Sequence, residues 1–254
     1  MLFRSGRERG RKQGDWPVPL VAGVNIGDLG NGGDKGWDCA TPPYHDLALA
    51  AAETASADAL RLGNAGVRMG AVSGPFKGGL GSASAFDPET GATLGALTCV
   101  NSAGSVAMPG SPTMWAWHLE QAGELGGQPP PERPTGHEFE TKHGLNQATT
   151  IGVLATDAQL AHEHVLRLGQ MGQDGFAFAI RPIHSPLDGD VLFSLTTAAV
   201  EVPDDPHTLA RLGAIGADVV ARAVMRAVYE AGDLGEHRCY RSVWGHRLLG
   251  GRLG

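Results

Sequence analysis

The stretch Ala148-Thr149-Thr150-Ile151-Gly152-Val153-Leu154-Ala155-Thr156-Asp157-Ala158 decides the reading of this chain. Upstream of it, residues 126–148 contain Pro129-Pro130-Pro131, Pro134, several glycines and scattered charges. That segment has no hydrophobic period and reads as an exposed linker. A core strand then starts abruptly at a hydroxyl pair, and Asp157 is placed to cap a following helix. Thr at a strand start is commonly there for its β-propensity. A Thr just behind a flexible linker also suits a self-cleaving enzyme. Cleavage between Ala148 and Thr149 would leave Thr149 as a new N-terminus with nucleophile and base on one residue. The freed α-amine, with an unperturbed pKa of about 7.7–8.0, would serve as general base near neutral pH.

Working outward, strand and helix patterns flank the linker on both sides. Before it come an extended apolar segment (17–26), a glycine-rich loop (27–36), a helix over 44–62 and two strands over 67–85 and 92–106. Asp87-Pro88-Glu89-Thr90-Gly91 supplies turn chemistry between those strands. After it come a strand (149–155), a helix (158–172), an apolar segment (176–180), a strand (191–200) and a long helix (206–230). This order predicts an α/β protein of sheets covered by helices. The domain reading is a disordered basic leader over 1–15 and one hydrolase domain over 16–254.

The 254 residues carry a net charge of -7 and 42% hydrophobic side chains, enough for a sizeable core. The acidic balance argues against nucleic-acid and membrane-surface partners. The basic start (Arg4, Arg7, Arg9, Arg11 and Lys12 against Glu8) reads as a solvated tail. No apolar run has transmembrane length and none follows the basic start, so a cytoplasmic location is expected. Cys39, Cys99 and Cys239 lie far apart and form neither a metal spacing nor an even disulfide set. His162-Glu163-His164 lacks the helical spacing of a zinc protease. No metal and no cofactor is expected.

Three further features carry chemistry. Asp188-Gly189-Asp190 before a strand reads as a turn or as carboxylates that orient Thr149. Lys77, in Gly74-Pro75-Phe76-Lys77-Gly78-Gly79-Leu80-Gly81, is a lone cation among glycines that match neither a phosphate loop nor a dinucleotide fingerprint. Asn101 ends an apolar run and can present a side-chain amide to an oxyanion.

Taken together, Gly74 to Ser84 with Lys77, Val100-Asn101-Ser102-Ala103-Gly104, Thr149 through Asp157, Asp174-Gly175, Arg181-Pro182-Ile183-His184 and Asp188-Gly189-Asp190 resemble the self-processing aminopeptidases. That family includes L-aminopeptidase/D-esterases, β-peptidyl aminopeptidases and nylon-oligomer hydrolases. The resemblance implies an α-β-β-α sandwich of the N-terminal-nucleophile type, cut into two subunits that stay together and oligomerise. It implies Thr149 as nucleophile, Lys77 and Asn101 polarising the substrate carbonyl, and Asp188 and Asp190 orienting the nucleophile. The Thr-Thr start leans towards linear oligoamides such as 6-aminohexanoate oligomers, with aminopeptidase action as the alternative. Two departures stand out. Ala148 replaces the Asn or Gly that precedes the nucleophile in the family. The family's N-terminal region, with its Gly-Gly-Ser-Ala-Tyr-Gly segment, has no counterpart here. A truncated, non-catalytic remnant is therefore the competing expectation, with Val18, Leu20, Val21, Val24 and Ile26 short of partners.

Overall fold

A computed structural model of the chain describes residues 11–13, 16–18, 23–32, 34, 36–56, 58–66, 69–132, 137–142 and 148–248. Most of the expected leader (1–10, 14–15), the apolar positions Leu20 and Val21, and parts of the linker (133–136, 143–147) lie outside them. Contacts divide the chain into two units, one of residues 1–25 and 34–60, the other of residues 26–33 and 61–254.

In the first unit, β1 (Arg11–Gln13) pairs antiparallel with β2 (Trp16–Val18). Arg11–Gln13 thus forms a strand within the segment read as the leader. Helix α1 (Tyr44–Glu53) is shorter than the expected 44–62, and none of its residues is buried. It stops at Thr54, whose N–H and hydroxyl both close onto Ala50 O.

The second unit is built on a four-stranded sheet in the order β5 (Gly79–Phe86), β6 (Thr93–Asn101), β7 (Thr149–Ala158), β8 (Val191–Val200). The first two pairings are antiparallel and β7–β8 is parallel. A parallel neighbour needs a crossover. Helices α2 (His162–Gly172) and α3 (Asp174–Ala179) supply it. The long α4 (Pro206–Tyr229) packs on β5 and β6 and against α2 and α3, with α5 (Tyr240–Trp244) beyond it. Asp205 caps α4 by accepting from His207 N and Thr208 N.

Side chains alternate across the sheet. Leu94, Ala96, Val100 and Leu154 face the helices and are buried. The opposite face carries Leu80, Ile151, Val153 and Phe193, half-buried, and Phe86, Leu97 and Leu195, exposed. Over its Asn101 end lies a ribbon of β3 (Val72–Ser73) and β4 (Phe76–Lys77). The layered α/β expectation holds in this form: helices, sheet, and a small second β layer.

Three boundaries are corrected. The strand expected over 67–85 is broken at Gly74–Pro75 and Gly78 into β3, β4 and β5. The apolar segment 176–180 lies in α3 up to Ala179, with Ile180 following as its extended cap. Asp157 caps no helix. It lies in β7, where its Oδ1 accepts from Thr93 N at 2.6 Å, and Ala161 caps α2 without a side-chain bond.

Helix α4 rests directly on the β5 backbone. A Cβ at Gly79 would meet Ala227 O at 2.0 Å, and one at Gly81 would meet Ala223 O at 1.9 Å. Arg222 and Arg226 tie the same contact by donating to Ser84 O and Ser82 O. Asp87 anchors the β5–β6 turn and takes a forked ion pair from Arg211, which holds its carboxyl well below the usual range. We predict that Gly81→Ala forces helix and sheet apart and costs at least about 1–3 kcal/mol, read as a lower urea midpoint. An unchanged midpoint would refute the close approach.

Candidate active site around the Ala148–Thr149 peptide

Thr149 is the first residue of β7 and is 7% exposed. Its β6 partner is Asn101, so both side chains lie on the sheet face away from α4. The neighbour on the other side is the loop before β8. Ala148 bridges Asp188 in parallel, with Ala148 N donating to Leu187 O at 3.1 Å and Gly189 N donating to Ala148 O at 2.9 Å. The Thr149 hydroxyl donates to that same carbonyl oxygen at 2.6 Å. Ala148 is therefore held at both its N–H and its carbonyl, and the carbonyl of the peptide expected to be cut also has a hydroxyl beside it.

Both carboxylates sit within this frame. Asp188 Oδ1 accepts from Ala103 N at 3.0 Å, while its Oδ2 accepts from Ser185 N and Oγ. Asp190 Oδ1 accepts from Thr150 N at 2.7 Å, and its Oδ2 meets His184 Nδ1 at 2.8 Å. Burial pushes the Asp190 carboxyl up, with the Asp188 charge adding to it. The Thr150 N–H and His184 act the other way. Asp190 thus grips the backbone next to Thr149, while Asp188 ties the 185–188 turn to Ala103 just after β6.

Asn101 is fully buried. Its Oδ1 accepts from Val72 N at 3.0 Å and from Lys142 Nζ at 2.9 Å, and its Nδ2 donates to Gly27 O at 3.2 Å. Lys77 is also fully buried, with Nζ donating to Ala71 O at 2.7 Å and Gly78 O at 3.0 Å. Lys77 and Asn101 therefore converge on the Ala71–Val72 segment, although they are far apart in sequence.

Two residues of this cluster escape sequence reasoning. Lys142 sits in the expected exposed linker yet is buried, as is Gln128, which corrects that part of the linker reading. Lys142 N donates to Ala103 O, placing the lysine beside Asp188. A lone Lys among prolines and glycines gives no signal of burial. Asn31 is 7% exposed and reaches Gly70 O, but the loop 27–36 was legible only as glycine-rich. Among the described residues, no group of three or more His, Cys, Asp or Glu could hold a metal ion, and no helix is long and apolar enough to cross a membrane.

Burial pushes the Lys142 ammonium down to about 8, with Asp188 and Asp28 opposing the shift. The folded protein then loses this proton before the unfolded chain does. From about pH 8 to 10.5 the unfolded chain binds more protons, so this group's contribution to stability rises with pH. Urea unfolding of wild type and Lys142→Met should show a stability difference that moves in favour of wild type across that window. A pH-independent difference would place the lysine in solvent.

The model of peptidase family S58 matches residues 7–239. An uncharacterised aminopeptidase of Mycobacterium tuberculosis is 36% identical over 259 residues, covering 96% of this chain and 73% of the relative. A 6-aminohexanoate-oligomer endohydrolase of Paenarthrobacter ureafaciens is 28% identical over only 87 residues, 31% of this chain and 24% of that enzyme. Two solved structures share the fold. A Burkholderia beta-aminopeptidase has a TM-score of 0.53 at 20% identity, over 75% of this chain and 54% of that one. The L-aminopeptidase D-Ala-esterase/amidase of Ochrobactrum anthropi, a variant of the Ntn hydrolase fold, has a TM-score of 0.51 at 23% identity, over 78% and 55%. The chain thus spans about half the length of the solved structures it matches.

Proposed function

Because the chain belongs to peptidase family S58, we propose that it is a self-processing amide hydrolase that cuts itself between Ala148 and Thr149. The carrying observation is the Thr149 hydroxyl, 2.6 Å from the carbonyl oxygen of its own preceding peptide. In this reading the Thr149 Oγ attacks the Ala148 carbonyl carbon. The C–N bond breaks, the hydroxyl proton passes to the Thr149 nitrogen, and an ester forms. Water then cleaves the ester to an Ala148 carboxylate, a free hydroxyl and an α-amine. That amine is the general base of the mature enzyme.

Asp190 holds the backbone that aims the nucleophile, by its bond to Thr150 N, and Asp188 holds the segment just after β6 through Ala103 N. Lys77 and Asn101 contribute positive charge and an amide to the side of the site covered by β3. The substrate class we favour is the N-terminal residue of peptides and amides. The aminopeptidase relative aligns along nearly the whole chain, whereas the oligoamide hydrolase aligns over a third of it. The lean towards oligoamides drawn from Thr149-Thr150 is accordingly replaced by the aminopeptidase alternative. A hydrolase domain over 16–254, a homo-oligomeric state and a cytoplasmic location complete the reading, open to light scattering and fractionation.

Denaturing mass spectrometry of purified protein should give two fragments, residues 1–148 and 149–254. Thr149→Ala should stay whole and lose turnover by a factor on the order of 10⁶. Thr149→Ser should still cleave. Cleavage of Thr149→Ala at this bond without added protease would rule out self-processing, and an intact wild-type chain would favour the non-catalytic remnant.

A further inference from the structure

We propose that Lys142 is a positioning residue of the mature enzyme: its ammonium fixes and polarises the Asn101 amide, so that an Asn101 N–H is presented to the oxyanion formed when Thr149 attacks a substrate. The inference rests on the reading of Thr149 as nucleophile and Asn101 as oxyanion donor, and deepens it.

Asn101 faces Thr149 across the β6–β7 ladder, both on the sheet face away from α4. Directly opposed residues have Cβ atoms about 4.5–5.5 Å apart, which puts the amide beside the Thr149 hydroxyl. In the uncut chain Ala148 O already accepts from Gly189 N and from the Thr149 hydroxyl. The Asn101 amide bonds elsewhere, so its place is in the turnover of an incoming substrate rather than in the first cut. An amide serves as an oxyanion donor only through its NH2 group, and an unconstrained Asn side chain can turn over, exchanging NH2 and carbonyl. At Asn101 the surroundings forbid the exchange. Its Oδ1 accepts from Val72 N at 3.0 Å and from Lys142 Nζ at 2.9 Å, and Asn31 Nδ2 stands 3.5 Å from the same oxygen. A backbone N–H and an ammonium only donate, so a turned amide would set its NH2 against both at once. Nδ2 gives one proton to Gly27 O at 3.2 Å, which leaves the second for the substrate.

Lys142 brings a full charge to this oxygen. An ammonium on the amide carbonyl draws electron density through the amide and makes its N–H a stronger donor. The lysine is buried, and its backbone is pinned where the cut does not reach. Lys142 N donates to Ala103 O at 2.8 Å, and Thr141 bridges Gly104. That anchorage runs to the segment after β6 and not through the Ala148–Thr149 peptide. The charges that face Lys142 are Asp188, from the loop before β8, and Asp28, from the glycine-rich loop. Both oppose the burial that brings the ammonium down to about 8. Below that pH the ammonium holds the amide; above it, a neutral amine offers a lone pair and lets the amide turn. Lys142 therefore supports turnover on the acid side of pH 8, whereas the Thr149 α-amine gains as a base when pH rises. The two together give the wild type a bell-shaped profile whose alkaline limb belongs to Lys142.

The test measures kcat and KM on alanine p-nitroanilide from pH 6 to 10 for the full chain, Lys142→Met and Lys142→Arg, each with and without Asn101→Ala. Turnover is expressed per processed chain, counted by denaturing mass spectrometry, and thermal melts run alongside. At pH 7, Lys142→Met should lower kcat about tenfold and leave KM within about twofold. It should also lose the alkaline limb near pH 8. Lys142→Arg keeps a cation that stays charged to beyond about pH 12, so it should recover most of kcat and push the limb out of range. Asn101→Ala should cost about 10²–10³ in kcat. On that background Lys142→Met should cost less than about twofold more, because the residue it acts through is gone.

A loss from Lys142→Met that persists in full beside Asn101→Ala would overturn the route through Asn101. An alkaline limb left in place by the Lys142 variants would remove the ammonium from turnover; should Lys142→Met melt without cooperativity, Lys142→Arg decides this point alone. Wild-type turnover by Asn101→Ala or by Thr149→Ala would instead sink the reading of the site itself, whatever Lys142 does.

Discussion

The parallel pairing of β7 with β8 is the constraint on which the rest of the molecule turns. A hairpin cannot join parallel strands, so the chain must leave the end of β7, cross the sheet through α2 and α3, and return at the start of β7. The return delivers the loop 185–190 to the level of Ala148 and Thr149. From there the ladder does the positioning. Leu187, Gly189 and Asp190 bond to Ala148, Ala148 and Thr150 in turn. The antiparallel side contributes Asn101 by register alone, opposite Thr149. Two strand pairings and one loop therefore assemble groups that span most of the second unit.

Such an assembly gathers buried charge. Asp190 and Lys142 are both driven towards their neutral forms by burial. A buried ionisable group without partners is costly, and here each one is given several. Asp190 has a backbone N–H and an imidazole, while Lys142 has the Asn101 carbonyl and nearby carboxylates. One strained residue supports the arrangement. His184 has a φ of 53°, a region costly to non-glycine residues, and its N–H and ring nitrogen both bond to Asp190. The carboxylate that steadies Thr150 is thus held by a turn that a relaxed chain would avoid.

The sequence showed the long periodic elements well. β8 and α4 fall within a residue of their expected bounds, because ten or more patterned residues outweigh any local ambiguity. It showed Thr149 at a strand start, because a linker without period met an apolar run. It misplaced Asp157, whose capping chemistry is real in isolation but is taken here by Thr93 N across the sheet. It did not show Lys142, because burial of a lysine depends on what folds over it. Asn101 illustrates the boundary between the two cases. Its position at a strand end was legible, but not that its amide would be occupied by Gly27 O and its carbonyl by Val72 and Lys142. Local pattern reports where a side chain stands; its partners come from other elements.

The reactivity proposed for the Ala148–Thr149 bond has its source in the same geometry. Neither residue is among those with a left-handed backbone, and Ala148 sits in a ladder whose bonds, at 2.9 and 3.1 Å, have ordinary lengths. Neither a left-handed backbone nor an unusual ladder bond therefore sets it apart from its neighbours. What differs is its surroundings: a hydroxyl on the oxygen, an N–H donor on the same oxygen, and a buried carboxylate fixing the next peptide. Placing reacting groups in contact can supply about 7–11 kcal/mol of a barrier without distorting the bond to be broken. In the proposed reaction the same arrangement would outlast the cut, since strain at the bond would be released once, whereas fixed donors and a fixed nucleophile would still be in place for the next acyl group. A site built on placement can therefore process itself and go on turning over, which fits a hydroxyl held at the head of a core strand.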